Sequence, residues 1–195
     1  MRVLVACEFS GTVRDAFLSR GHDAWSCDII PVDHPRHVRC DVSLILTQPW
    51  DLVIAHPPCT YLAKSSVMHL SRKGRINTHR LADMVDAVNF FMECINASAP
   101  KVCVENPVPH KYASELLPPY TQVIHPCQFG NRDRKATCLW LKGLPPLKST
   151  EHVTPVDRNY GVHDPKMSGM KAMGRGRMRS ITHKGVAEAM ATQWG

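Results

Sequence analysis

Apolar residues in this chain fall into short runs separated by polar, helix-spaced or turn-forming stretches. Residues 3–7 (VLVAC) form an apolar run that predicts a buried strand, closed by Ser10 and Gly11 as a turn. Residues 12–21 (TVRDAFLSRG) place Val13, Ala16 and Phe17 at helical spacing and end on a glycine. A second strand is predicted at 23–30, a short third around 38–42, and a fourth at 51–55, where DLVIA runs into His56-Pro57-Pro58-Cys59. Two prolines cannot extend a ladder, so they end that strand and fix the backbone direction before the thiol.

The longest helical pattern follows. Leu81, Met84, Val85, Val88, Phe91 and Ile95 recur at three and four residues, the spacing of one core-facing stripe. Residues 101–106 (KVCVEN) predict a fifth strand stopped by Pro107, and TQVIHP with KATCLWL a final strand pair joined by CQFGNRDR. From Lys142 to about Thr182 the chain is polar and rich in Pro and Gly, and 182–194 predicts a closing helix capped by Thr182. There is no internal repeat. Strands alternating with helices imply right-handed crossovers and a mainly parallel sheet covered on both faces, an α/β fold. Ligands in such sheets bind beyond the carboxyl ends of the strands. Those ends carry Phe9-Ser10-Gly11, Asp28, Asp41, Pro57-Pro58-Cys59 and Glu105-Asn106-Pro107. The polar residues gather on one rim.

Composition narrows the classes. A chain of 195 residues suits one domain. No apolar run approaches the roughly 20 residues of a membrane helix, and the N-terminal apolar stretch is broken by Glu8, so a cytoplasmic protein is expected. Eight cysteines stand at 7, 27, 40, 59, 94, 103, 127 and 138, with no Cys-x-x-Cys pair, which argues against disulfides and structural zinc. The net charge of +7 favours a polyanionic partner. It is concentrated in two Gly-containing stretches, 71–80 (SRKGRINTHR) and 174–180 (GRGRMRS), read as mobile loops suited to phosphate contact.

Asp28 stands seventeen residues past Gly11, where nucleotide-binding folds place an acid for a ribose hydroxyl. A turn glycine explains Gly11 equally well, and a helix cap explains Asp41. Cys59 and Glu105 are stronger together: a thiolate is a potent nucleophile, and a carboxylate on a neighbouring strand end can hold a ring nitrogen and an exocyclic amine. A salt bridge to Arg132 or Arg134 is the ordinary alternative for that acid.

In order along the chain, FSG, HPPC, ENP and GNRDR resemble the catalytic core of DNA cytosine-5 methyltransferases, closest to short phage- and prophage-type proteins. The resemblance covers roughly residues 3–141 and implies a Rossmann-like, S-adenosylmethionine-dependent methyltransferase fold, a seven-stranded sheet whose last strand is antiparallel. It implies a catalytic unit at 1–141, an irregular basic segment at 142–181 in place of a target-recognition domain, and a final helix at 182–195. It further implies methyl transfer from S-adenosylmethionine to C5 of cytosine in DNA, in a phage or its bacterial host.

By that resemblance Cys59 attacks C6, Glu105 holds N3 and the amine, and Arg134 faces the base. Phe9, Ser10, Gly11, Asp28, Asp41 and Pro57 line the cofactor, and no metal is implied. Pro58, Asn106, Arg132 and Lys135 fall on the substrate side, with Arg72, Lys73, Arg75, Arg175 and Arg177 on nucleic acid. The chain departs from the family pattern at Thr60, Pro107 and Gly130. Its short span after Leu141 keeps two other readings in view: pyrimidine modification on a nucleotide or single strand, and a catalytically silent nucleic-acid-binding protein.

Overall fold

In the computed structural model, described over residues 1–156 and 180–195, the apolar runs become strands. Nine strands occur among the described residues: β1 (Arg2–Ala6), β2 (Asp23–Asp28), β3 (His37–Arg39), β4 (Leu52–Ala55), β5 (Ser71–Arg72), β6 (Arg75–Ile76), β7 (Lys101–Pro107), β8 (Gln122–Ile124) and β9 (Thr137–Lys142). The helices are α1 (Thr12–Leu18), α2 (Val67–Leu70), α3 (Thr78–Ile95), α4 (Lys111–Ser114) and α5 (Lys184–Trp194). Seven strands build one sheet in the order β3-β2-β1-β4-β7-β9-β8. Strands β3, β2, β1, β4 and β7 are mutually parallel, and β9 runs antiparallel to β7 and β8. This is the Rossmann-like α/β sheet with its last strand reversed that the sequence led us to expect.

Alternation along each central strand sends its side chains to two cores. Leu4, Ala6, Val53, Ala55, Val102 and Val104 pack toward Met84, Val88 and Phe91 of α3. Val3, Val5, Leu52, Ile54 and Cys103 face Val13 and Phe17 of α1 and Met190 and Trp194 of α5. Because the central strands are covered on both sides, they read as continuous apolar runs. The order reverses between β1 and β4, so the crevice at this switch point lies beside the carboxyl end of β4.

Four expectations need correction. The core stripe of α3 is Met84, Val88, Phe91 and Cys94, while Leu81 and Val85 are exposed, so the buried face is rotated from the one the spacing suggested. The basic stretch after Leu70 is no loose loop: β5 and β6 form an antiparallel hairpin. Lys73 and Gly74 both take positive φ at its tip, the backbone of a tight two-residue turn. Strand β7 continues through Pro107, which pairs with Thr137 of β9. Pairing with β4 has already ended at Ala55 and Val104, so the missing N–H breaks no ladder there. Finally, α5 is preceded by His183 as N-cap, with no side-chain cap, and not by Thr182.

The chain after β9 is irregular but tied down. Gln122 exchanges two hydrogen bonds with the Leu147 backbone, and Gln193 exchanges two with Lys148. Glu151 and Val153 meet the 127–130 turn through backbone bonds. Arg175 and Arg177 lie outside the described residues.

Candidate functional site

Residue 56 follows the last residue of β4, and its N–H still bonds the Ala6 carbonyl of β1 at 2.9 Å. Pro57 is buried and Pro58 exposed, so the chain turns outward at the Pro-Pro step, and Cys59 stands half-buried after it. The Cys59 carbonyl accepts from the N–H groups of Leu62 and Ala63 at 3.1 and 3.0 Å, closing a turn anchored by buried Leu62. That turn is held from two sides. His110 donates from its backbone to the Leu62 carbonyl and from Nε2 to the Tyr61 carbonyl, both at 2.9 Å. Arg80 of α3 donates to the Thr60 carbonyl at 3.1 Å and lies over the Tyr61 ring, 4.6 Å from its centre. The thiol therefore rides on a loop whose backbone is fixed by partners distant in sequence.

Glu105 reaches the same rim from β7. The register Ala55↔Val104 sets residues 56 and 105 beside each other on the α1/α5 face. His56 Nδ1 donates to Glu105 Oε2 at 3.3 Å. One residue on, Asn106 is buried and its Nδ2 donates to the Pro57 carbonyl at 2.8 Å, joining the Glu-Asn-Pro turn to the Pro-Pro-Cys turn. Arg132 and Arg134 are exposed, and among the described residues His56 and then Lys135 act on Glu105. Among the described residues, Glu105, Lys135, Thr137, Thr182 and His183 line a cavity of about 20 Å³, room for one water and not for a ring.

Burial and nearby charge displace several groups at and around this rim. Burial raises the Glu105 carboxyl, but the hydrogen bond and charge of His56, the Lys135 ammonium and the Thr137 hydroxyl outweigh it and hold the group below the usual carboxylate range. Burial pushes the Cys27 thiol up to about 12 and Cys138 to about 11, and raises Cys103 well above its ordinary value, so these stay protonated. Burial lowers His183, helped by Lys135 and opposed by Asp133, whose Oδ2 is 3.5 Å from Nε2.

Both displacements make the fold acid-sensitive. His183 and Glu105 bind protons less readily folded than unfolded, so each contributes stability above its ordinary value, 6.5 and 4.5 respectively, and loses it as pH falls through its lower folded value. Urea midpoints are expected to drop between pH 7.5 and 5.5 and again below 4.5. Midpoints independent of pH across both windows contradict this.

At the neighbouring strand ends, Glu8 is 4 % exposed and accepts from the Val13 and Arg14 N–H groups at 2.7 and 3.2 Å. This carboxylate occupies the first turn of α1, the place where dinucleotide folds receive a diphosphate. Gly11 takes φ 73°, and a Cβ there would lie 2.2 Å from Arg14 Nη2, so the position admits little but glycine. Buried Arg14 donates to Ser26 Oγ at 2.9 Å, and Ser26 meets His37 Nδ1 at 2.9 Å, which ties α1, β2 and β3 together. Asp28 and Asp41 each spend one carboxylate oxygen on a local backbone N–H, of Ile30 and Ser43. Phe9 and Ser10 are half-buried beside them.

Of the predicted residues, the fold thus brings Pro57, Asn106 and Glu105 together at the β4/β7 rim, with Cys59 on the turn that follows. Phe9, Ser10, Gly11 and Asp28 gather at β1/β2. Arg72, Lys73 and Arg75 are exposed on the hairpin. Sequence reasoning passed over His56, Glu8 and His183. For His56 a signal existed, an ionisable residue wedged between a buried strand and two prolines.

Among the described residues no group of three or more His, Cys, Asp or Glu is arranged to hold a metal, and no helix is long and apolar enough to cross a membrane. No protein-family model matches the chain, and no curated protein matches its sequence. Solved structures similar to it include two methyltransferases. One is a prophage-encoded protein from E. coli, described as a DNA modification methyltransferase, with 16 % identity and a TM-score of 0.48 over 80 % of this chain and 52 % of that one. The other is the Dnmt2 methyltransferase of S. pombe, with 15 % identity and a TM-score of 0.40 over 84 % of this chain and 54 % of that one. The chain spans about half the length of each.

Proposed function

We propose that this protein transfers a methyl group from S-adenosylmethionine to C5 of cytosine in DNA, with Cys59 as nucleophile and Glu105 as the carboxylate that holds the base. The observation that carries the reading is the Asn106–Pro57 hydrogen bond of 2.8 Å together with the Ala55↔Val104 register, which support a thiol and a carboxylate working at one rim. The bound donor would supply an activated methyl group. Its fit is supported by the chemistry at the β1/β2 end: Asp28 retains an oxygen for a ribose hydroxyl, and Glu8 fills the α1 turn that a diphosphate would need.

In this reading Cys59 bonds to C6, which makes C5 nucleophilic. As the thiolate adds, N3 takes up a proton from water so that the ring gains no net negative charge, and Glu105, ionised, accepts hydrogen bonds from the new N3–H and from the exocyclic amine. After C5 has gained the methyl group it loses its proton to water, the sulfur leaves C6 as thiolate with its bonding electrons, and N3 gives its proton back to water, which restores the aromatic ring. Cytosine in a duplex is stacked, so it must turn out of the helix to reach the thiol. The exposed cations Arg72, Lys73 and Arg75 lie on a hairpin rooted just beyond the Cys59 turn, which supports contact with the phosphate backbone.

The test is transfer of labelled methyl groups to duplex DNA, single-stranded DNA and dCMP in parallel, with nucleosides read by mass spectrometry. The expected product is 5-methylcytosine in DNA. Label in dCMP alone moves the substrate to the nucleotide level. DNA binding that weakens with salt but brings no transfer leaves a silent binding protein.

A further inference from the structure

The Glu-Asn-Pro and Pro-Pro-Cys turns meet through a side chain that the function above leaves unused. His56 is 8 % exposed at its side chain, and its Nδ1 is 3.3 Å from Glu105 Oε2. Its Nε2 is buried with no hydrogen-bond partner among the described residues. Buried polar atoms are rarely left unpaired, because each costs its full desolvation. Among the described residues nothing on the far side of the ring competes with the carboxylate, so the bond to Glu105 sets the orientation and the tautomer. The backbone carrying the ring is fixed in turn, by the Ala6 carbonyl on one side and Pro57 on the other.

We propose that His56 is a positioning residue for the reaction: its imidazole anchors Oε2 of Glu105, so that the carboxylate meets the base in one orientation. A carboxylate has about four lone-pair directions, so one bond from His56 leaves both oxygens able to accept from a base. This assignment rests on the methyl-transfer reading for its catalytic meaning, but the pairing itself does not.

The charged and titratable groups around Glu105 define what His56 adds. Lys135 faces it from the segment before β9, and His183, paired with Asp133 of that same segment, approaches from the start of α5. Cys103 of β7 and Cys138 of β9 are near neighbours held protonated by burial. Among the favourable contributions to the ionised carboxyl, the hydrogen bond and charge of His56 come first and Lys135 follows. Without the imidazole, burial would work against ionisation with Lys135 and Thr137 left to oppose it.

His56→Asn keeps a short polar side chain and removes the imidazole. In glutamate-13Cδ NMR of the protein without substrate, Glu105 is expected to titrate at higher pH in this variant than in the wild type. The acid limb of the kcat/KM profile should move up in step, with kcat at neutral pH down about 10- to 100-fold and KM for the methyl donor unchanged. Titration of Glu105 at the wild-type pH in the variant overturns the proposal. Should the variant fail to fold, Glu105→Gln read at the His56 ring nitrogens decides instead: the Nδ1 resonance must shift, and an unmoved one overturns the pairing. A wild-type protein that transfers no methyl group while the NMR result holds removes the catalytic reading and leaves His56 as the anchor of Glu105.

Discussion

Cys59→Ala is expected to lower methyl transfer by at least about 10⁴-fold, equivalent to about 5 kcal/mol of transition-state stabilisation. The reason is chemical: C5 of cytosine is a poor nucleophile until a group adds at C6, and in this reading the Cys59 sulfur is that group. The loss should fall on kcat. The donor should still bind with wild-type heat in calorimetry, because the residues expected around it stand at the ends of β1 and β2. The turn should also keep its shape, since its bonds are made by the Cys59 carbonyl and by His110 and Arg80, none of which needs the sulfur. DNA carrying 5-fluorocytosine gives a sharper readout, because its C5 has no proton to lose and the adduct persists. The wild type should form a species stable to denaturing electrophoresis and Cys59→Ala should form none. Equal turnover in the two proteins, or an adduct in the variant, removes the covalent mechanism.

Gly185→Ala should be the most damaging small substitution in α5. A Cβ at this position would lie 1.8 Å from the Phe129 carbonyl oxygen and 3.0 Å from its carbon, and both are backbone atoms with no rotamer to give way. The first turn of α5 must therefore lift from the 126–130 turn. That would disturb the packing of Val186, Met190 and Trp194 against the α1 side of the sheet and the place of His183 beside Asp133. Overpacking of this kind costs about 3 kcal/mol, which for a chain of this length is a melting temperature lower by roughly 10 °C. Alanine is the better helix former, so propensity alone predicts the opposite sign. A variant that melts at or above the wild-type temperature would show that α5 can move away without loss.

How far each feature was legible depends on the range of the interaction behind it. The central strands were legible because burial on both faces makes an unbroken apolar run, and Val3, Leu4 and Val5 or Leu52, Val53 and Ile54 need no partner to be recognised. The hairpin at 71–76 was not, because two-residue strands carry no pattern and exposed Arg72, Lys73 and Arg75 around Gly74 resemble any loop. The face of α3 was misjudged by one position, since Leu81 and Val85 fit the helical spacing as well as Met84 and Cys94 do, and only the sheet beneath decides which stripe is covered. Pro107 signals a strand end locally, yet the strand runs through it because the neighbour on that side has already finished.

The same division holds at the candidate site. Pro57, Pro58 and Cys59 announce themselves because proline limits the backbone whatever surrounds it, and Glu105 does so because an acid ending an apolar strand must be paired. Its pairing was out of reach. The sequence offered Arg132 and Arg134, the nearest fully charged partners in a motif, whereas the fold supplies His56 through a strand register and Lys135 from the segment before β9.

By itself, then, the order of residues determined the α/β architecture, the rim on which polar groups collect, and the acid and thiol at successive strand ends, all set by burial and backbone restriction along short stretches. Tertiary structure alone decided which cation and which imidazole face Glu105, and that Glu8 closes the first turn of α1. Hydrogen bonds and charge act over a few ångströms in space, and residues 49 positions apart become neighbours only when β4 and β7 align.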